Sequence, residues 1–161
     1  MPADMRITNA TEQDAPVILE LIRDLGEYER LSDQVIATED QIRKTLFGAH
    51  PVAEALLASI EGKTVGFAVF FTNYSTFLAK PGIYLEDLFV KPDARGQGVG
   101  KAVLERIAQL AVERGCGRVE WSVLDWNAPS IRFYESLGAV AMNEWTTFRL
   151  TGESLARLAA R

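Results

Sequence analysis

The sequence predicts one layered domain in which helices pack on a mixed sheet, an α/β or α+β fold, and three observations lead there. Helix-like and strand-like apolar periodicities alternate along the chain. Neither repeats nor low-complexity linkers interrupt them. A glycine-rich run, KPDARGQGVGK at residues 91 to 101, separates an apolar stretch from a long amphipathic pattern. A length of 161 residues, 48% hydrophobic and 24% charged, suits a single domain over residues 1–161 with its own core.

Met5 to Thr8 reads as a short strand. The helix after it places Val17, Ile18, Leu21, Ile22 and Leu25 on one side. Thr38, followed by Glu39, Asp40 and Gln41, caps a second helix that runs through Leu46 and Phe47 and ends at Gly48 and Pro51. Strands Glu54 to Ile60 and Thr64 to Phe71 flank Glu61-Gly62-Lys63 as an antiparallel hairpin. A loop from Asn73 to Gly82 then leads to an apolar run, Ile83 to Val90, and to the glycines. The helix Val99 to Arg114 carries Val99, Val103, Ile107 and Leu110 on one stripe and is closed by Gly115. Arg118 to Leu124 reads as a strand, Asp125 to Asn127 as a turn, Ala128 to Leu137 as a helix stopped by Gly138, and Ala139 to Leu150 as a further strand. The tail TGESLARLAAR has the pattern of an amphipathic helix, with Leu155 and Leu158 facing the domain or a second copy.

Composition narrows the function. No run reaches the roughly 18 apolar residues of a membrane span, and MPADMRITNATEQD lacks the regions of a signal peptide, so a cytoplasmic address is expected. One Cys and one His cannot supply a usual metal-ligand set, so no disulfide and no metal are expected. A net charge of −5 disfavours nucleic acid and anionic membrane as partners and favours a small cation. Trp121, Trp126 and Trp145 therefore read as core or cleft walls rather than base-stacking platforms. His50 precedes Pro51 in a helix-ending turn, and no serine occupies an elbow motif, which removes a nucleophilic triad.

A glycine turn that leaves a strand and opens a helix offers free N–H groups and the positive helix end to a phosphate. Counting excludes two familiar loops. The P-loop pattern fails because Ala102 follows Lys101 and Arg95 stands where its first glycine belongs, and G-x-G-x-x-G fails because Lys101 stands where a glycine is needed. What remains is Arg-x-x-Gly-x-Gly at Arg95, Gly98 and Gly100, with Arg95 as an added cation.

The order of strand, Arg-x-x-Gly-x-Gly, helix and strand, then Asn127 opening a helix with Tyr134 and Gly138 beyond, resembles the GNAT family of acetyl-CoA-dependent N-acetyltransferases. The segments LGEYERLSDQV, FGAHP, YLEDLFV, RGQGVG and WNAPSIRFYESLGA resemble its diamine (spermidine/spermine) acetyltransferase branch. The resemblance implies a mixed, mostly antiparallel sheet with splayed central strands, flanked by helices, and a homodimer. It implies acetyl-CoA as cosubstrate, with its pantetheine paired to the main chain over Leu88, Phe89 and Val90 and the Leu88 N–H polarising the acetyl carbonyl. The pyrophosphate would sit on Arg95, Gly96, Gln97, Gly98, Val99, Gly100 and Lys101. Asn127, a natural N-cap with Pro129 in the first turn, and its neighbours Ala128 and Ser130 would also lie against the cofactor.

Amine acetylation sets its own chemical demands. A primary amine has a pKa near 10.4, so freeing its lone pair at pH 7 costs about 4 to 5 kcal/mol, and a carboxylate that binds the cation and takes its proton is useful. YLEDLFV offers Glu86 and Asp87, which regular strand geometry sends to opposite faces. The resemblance selects Glu86 as base and leaves Asp87 as a helper. Tyr134, seven residues beyond Asn127, is the candidate acid for the leaving thiolate, although Ile131, Tyr134 and Leu137 also fit a core stripe.

For the amine itself, Tyr28 and Glu29 match positions that line the substrate site of the branch, and Glu120, Trp121 and Ser122 lie on the neighbouring strand. NYSTFLAKPG departs from the diamine enzymes, which carry an acid and a tryptophan in a shorter connection there; here stand Phe77 and Lys80. A polyamine, a lysine-like amino acid such as thialysine and another small primary amine are all open. A non-catalytic acyl-CoA sensor of the same fold is the alternative; it would need the glycine loop but not Glu86 and Tyr134.

Overall fold

The computed structural model describes residues 2–161, which form two compact units, one reaching to Ser122 and the other Val123–Arg161. The first contains β1 (Met5–Asn9), α1 (Ala15–Tyr28), α2 (Glu39–Phe47), β2 (Glu54–Ile60), β3 (Lys63–Ser75), β4 (Lys80–Val90), α3 (Val99–Glu113) and β5 (Val119–Trp121). The second contains α4 (Ala128–Ser136) and α5 (Gly152–Ala159). Among the described residues, no helix is long and apolar enough to cross a membrane.

Local chemistry sets the early elements. Thr38 and Gln41 cap α2 reciprocally: Gln41 N–H donates to Thr38 Oγ1 at 3.2 Å, and Thr38 N–H donates to Gln41 Oε1 at 2.9 Å. The β2–β3 turn is Glu61-Gly62, with φ of 50° and 78°, the pair of left-handed residues that matches strand twist in a tight hairpin. α1 buries Ala15, Ile18, Leu19 and Leu21 and packs Val17, Ile22 and Leu25 beside them.

The sheet runs β1-β2-β3-β4-β5, antiparallel except for the parallel β4–β5 pair. α1 and its cluster take Ala55, Leu57, Phe67 and Phe89. The intervening residues Leu56, Ala58, Phe70, Ile83 and Leu85 are buried on the other face, where α3, with Val99, Val103 and Ile107 fully covered, packs across the strands. Burying a side chain such as Phe67 or Phe70 contributes roughly 2 to 3 kcal/mol. Arg114, just past α3, clasps Glu54 at the start of β2 through two bonds of 2.7 and 2.9 Å.

Three expectations need correction. The loop from Asn73 to Gly82 is mostly strand: Asn73 pairs with Gly82, Tyr74 with Pro81 and Ser75 with Lys80. Only the tip from Thr76 to Ala79 is free of the ladder, held by Leu78 N–H donating to the buried Ser75 Oγ at 3.2 Å. The strand from Arg118 to Leu124 shortens to Val119–Trp121. The segment from Ala139 to Leu150 forms neither helix nor strand: apolar alternation favours a strand only where a neighbouring strand takes up its backbone groups, and none is paired to it. Val140, Trp145 and Phe148 are exposed there, Phe148 by 91%. The tail is helical as expected, and Leu155 and Leu158 of α5 are exposed.

Candidate active site

β4 does not keep regular alternation. Leu85 lies opposite Phe70 and Asp87 opposite Val69, adjacent residues on β3, so Glu86 is an extra residue in β4. Such a bulge exchanges the faces beyond it. Ile83 and Leu85 therefore point to the α3 side, whereas Asp87 and Phe89 share the α1 side with Val69 and Phe67. Without the inserted residue, Asp87 would follow Leu85 into the core beneath α3. The rule that Glu86 and Asp87 face opposite ways fails here for the same reason.

The bulge gives Asp87 its chemistry. Burial first, then the charges of Glu86 and Glu29, push the Asp87 carboxyl up to about 7. Burial also raises Glu29, the C-cap of α1. Glu86, the residue expected as the base, is the exposed bulge residue, and Asp87 beside it is half-buried.

Tyr28, at the last turn of α1, lies 6.2 Å from the Phe89 ring. The Arg95 guanidinium sits 4.5 Å over Tyr28 and 5.6 Å from Phe89, while its Nε donates to Val90 O at 2.9 Å. Arg95 thus pins the start of the glycine loop to the end of α1.

The strands then part. β5 follows β4 only through the Leu85–Trp121 pair, whereas β4 continues through Leu88 and Phe89 to Val90, so its β5-side backbone edge is left without a strand. Past β4, Gly96 and Gly98 take φ of 79° and 83°, a conformation that a side chain disfavours. Gly98 caps α3 with no side-chain bond, which leaves the N–H groups of Val99, Gly100 and Lys101 and the helix dipole directed outward. A Cβ on Gly96 would meet nothing within 4 Å. Lys101 is at 3.9 Å from Glu105, and Gln97 is exposed. An open, uncapped N-terminus on a helix of this length, beside an unpaired strand edge, fits a phosphate followed by an extended amide chain.

Outward along β4, Tyr84 stands opposite Glu120, and its hydroxyl shares a 2.7 Å hydrogen bond with Ser122 Oγ. Phe71 lies 5.3 Å from the Tyr84 ring. Glu120 accepts from Asn73 Nδ2 at 3.4 Å and pairs with Arg118 Nε at 3.2 Å. Trp121, opposite Leu85, belongs to the other face and is not brought together with Glu120 and Ser122. Tyr84, Phe71, Asn73 and Arg118 escape the sequence reading, because only the pairing of β4 with β3 and β5 places them beside the acids.

The second unit carries the remaining candidates. Asn127 is buried, and its Oδ1 accepts from Ser130 N at 3.4 Å, capping α4, with Ala128 and Pro129 in the first turn. Tyr134 is half-buried on α4, its ring 5.7 Å from that of Phe133. Gly138 ends the helix at φ 93°.

Comparison with known proteins agrees with this architecture. The family model for the acetyltransferase (GNAT) family matches residues 17–139. The thialysine N-epsilon-acetyltransferase of Sus scrofa is 39% identical over 170 residues, covering 99% of each chain. The L-ornithine N5-acetyltransferase of Arabidopsis thaliana is 34% identical over 195 residues, covering 93% of this chain and 86% of that protein. Among solved structures, an integron cassette protein from the mobile metagenome of V. cholerae superposes with a TM-score of 0.83 at 25% identity, covering 98% of this chain and 99% of the other. The chain belongs to the GNAT family of acetyltransferases.

Proposed function

We propose that the protein transfers an acetyl group from acetyl-CoA to the side-chain amine of a small lysine-like amino acid, in a single GNAT domain that works as a homodimer. The full-length likeness to thialysine and ornithine acetyltransferases supports the substrate class and disfavours a non-catalytic sensor. The exposed apolar run from Val140 to Leu150, which lacks a strand partner, supports a second copy as the missing neighbour.

In this reading, the ammonium enters between Glu86, Asp87 and Glu29, whose charges attract it. Asp87, already poised near neutrality, takes the proton, and Glu86 orients the cation from the exposed side. The freed amine attacks the thioester carbonyl, whose oxygen receives the Leu88 N–H. Val90 and Phe89 continue the main-chain contact with the pantetheine, and the glycine loop with Lys101 and Gln97 holds the pyrophosphate. The C–N bond forms, the C–S bond breaks, the thiolate leaves with a proton from Tyr134, and the second proton shed by the nitrogen as the amide forms returns Tyr134 to its neutral state. Asn127 through Ser130 pack against the cofactor, and Tyr28 closes the amine site beside Arg95. Asp87 carries the proposal: a half-buried carboxyl near 7, turned by a bulge toward other acids, suits a base for an ammonium. Acetyl transfer to thialysine, followed by release of free CoA, tests it in Asp87→Asn and Glu86→Gln. Asp87→Asn is expected to lower kcat about 100-fold or more and Glu86→Gln mainly to raise KM; an Asp87→Asn enzyme of normal kcat would return the base to Glu86.

A further inference from the structure

The face that holds Asp87 continues outward along β4 through Tyr84 and Gly82 to Lys80, and the charge changes sign along it. At the inner end are Asp87, Glu86 and Glu29. At the outer end, Arg118 and Glu120 form an ion pair at 3.2 Å, with Asn73 Nδ2 at 3.4 Å from the same carboxylate oxygen. Gly82 lies beneath them: a Cβ there would come 2.5 Å from Asn73 Oδ1 and 3.6 Å from Arg118 Cγ. The absence of that side chain is what lets Asn73 and Arg118 close over the strand.

We propose that Arg118 and Glu120, with Asn73, form a head-group subsite that takes the α-carboxylate and α-ammonium of an amino acid whose side-chain amine lies at Asp87. The proposal rests on amine acetylation as the reaction and adds where specificity is set. Paired opposite charges half-exposed on one wall complement a zwitterion, the carboxylate on Arg118 and the ammonium on Glu120. Arg118 meets Glu120 through Nε, and its planar fork grips a carboxylate through the terminal nitrogens.

The spacing fits as well. Glu120 stands opposite Tyr84, and Asp87 lies two ladder steps farther along β4, which puts the two backbones roughly 8 Å apart at ordinary strand rise and spacing. An extended lysine side chain places its amine roughly 6 Å from its α-carbon, and the Glu120 and Asp87 side chains take up the remainder. Tyr84 stands beside Glu120 on the same face as Asp87, with the Phe71 ring 5.3 Å from its own, and offers an apolar surface to the methylene chain. A polyamine laid along the same path would set its second ammonium against Arg118 and Lys80, which like-charge repulsion opposes.

The test compares kcat/KM for L-thialysine with that for the diamine lacking only its carboxylate, in the full-length protein and in Arg118→Ala and Arg118→Lys. The unmodified protein is expected to prefer the amino acid. Arg118→Ala should reduce that preference by about tenfold or more, the scale of one charged hydrogen-bonded contact, through KM rather than kcat, and Arg118→Lys should recover part of it. An unchanged ratio, or equal losses for both substrates, would make Arg118 and Glu120 an ordinary surface pair and overturn the subsite. Failure of the unmodified protein on both amines would instead remove amine acetylation itself, and the subsite with it.

Discussion

Asp87 links stability and activity through one proton. Its carboxyl is raised from 3.8 to about 7 in the folded protein, so between those values the folded state holds a proton that the unfolded chain has released. Stability contributed by this group is therefore lost as pH rises through that window, by on the order of 4 kcal/mol once pH exceeds 7. Asp87→Asn removes the loss: its melting temperature should exceed that of the unmodified protein at pH 8, and the two should converge near pH 4. Catalysis runs the other way, since a base works only when deprotonated. The pH profile of kcat/KM should rise to a plateau through about pH 7, and Asp87→Asn should abolish that limb. Tyr134→Phe should lower kcat while leaving acetyl-CoA affinity in place, as calorimetry and turnover on one preparation would show. Both carboxylates were legible in YLEDLFV, but the bulge between them was not. Apolar residues flank them on both faces, so no alternation in the sequence reveals that Glu86 is inserted; only the pairing with Phe70 and Val69 does.

At the scale of elements, short-range chemistry was readable and long-range pairing was not. The α2 cap is written in Thr38 and Gln41, the first hairpin in Glu61-Gly62, and the helix start in Gly98, each within a few residues of its effect. The length of the second hairpin depends on Asn73 finding Gly82 and Tyr74 finding Pro81, which residues associated with turns disguised. The early end of β5 leaves β4 without a neighbour beyond Leu85, and in the proposed reading this gap belongs to the acetyl-CoA seat together with the glycines. Gly98→Ala tests the glycine side. At φ 83° a Cβ costs about 1 to 2 kcal/mol, so the variant should fold with reduced stability and bind acetyl-CoA more weakly by calorimetry. Unaltered affinity would remove the α3 N-terminus from the binding site.

On the scale of the whole molecule, the strand expected from Ala139 to Leu150 does not form, and Val140, Trp145 and Phe148 stand exposed there, where the proposed homodimer would cover them. Sedimentation equilibrium should therefore show a dimer, and Phe148→Glu, which charges the exposed run, should shift it toward the monomer. The general layout was legible because helical and strand periodicities follow burial, and burial here follows two faces of one sheet. The route of an amine across that sheet was not, since it depends on which residues three strands bring into register. The most direct measurement is mass spectrometry of L-thialysine incubated with acetyl-CoA and the purified protein. The account predicts an amine product heavier by one acetyl group, acetylated at its side-chain nitrogen, with one free CoA for each product. Bound acetyl-CoA with no acetylated amine would contradict it.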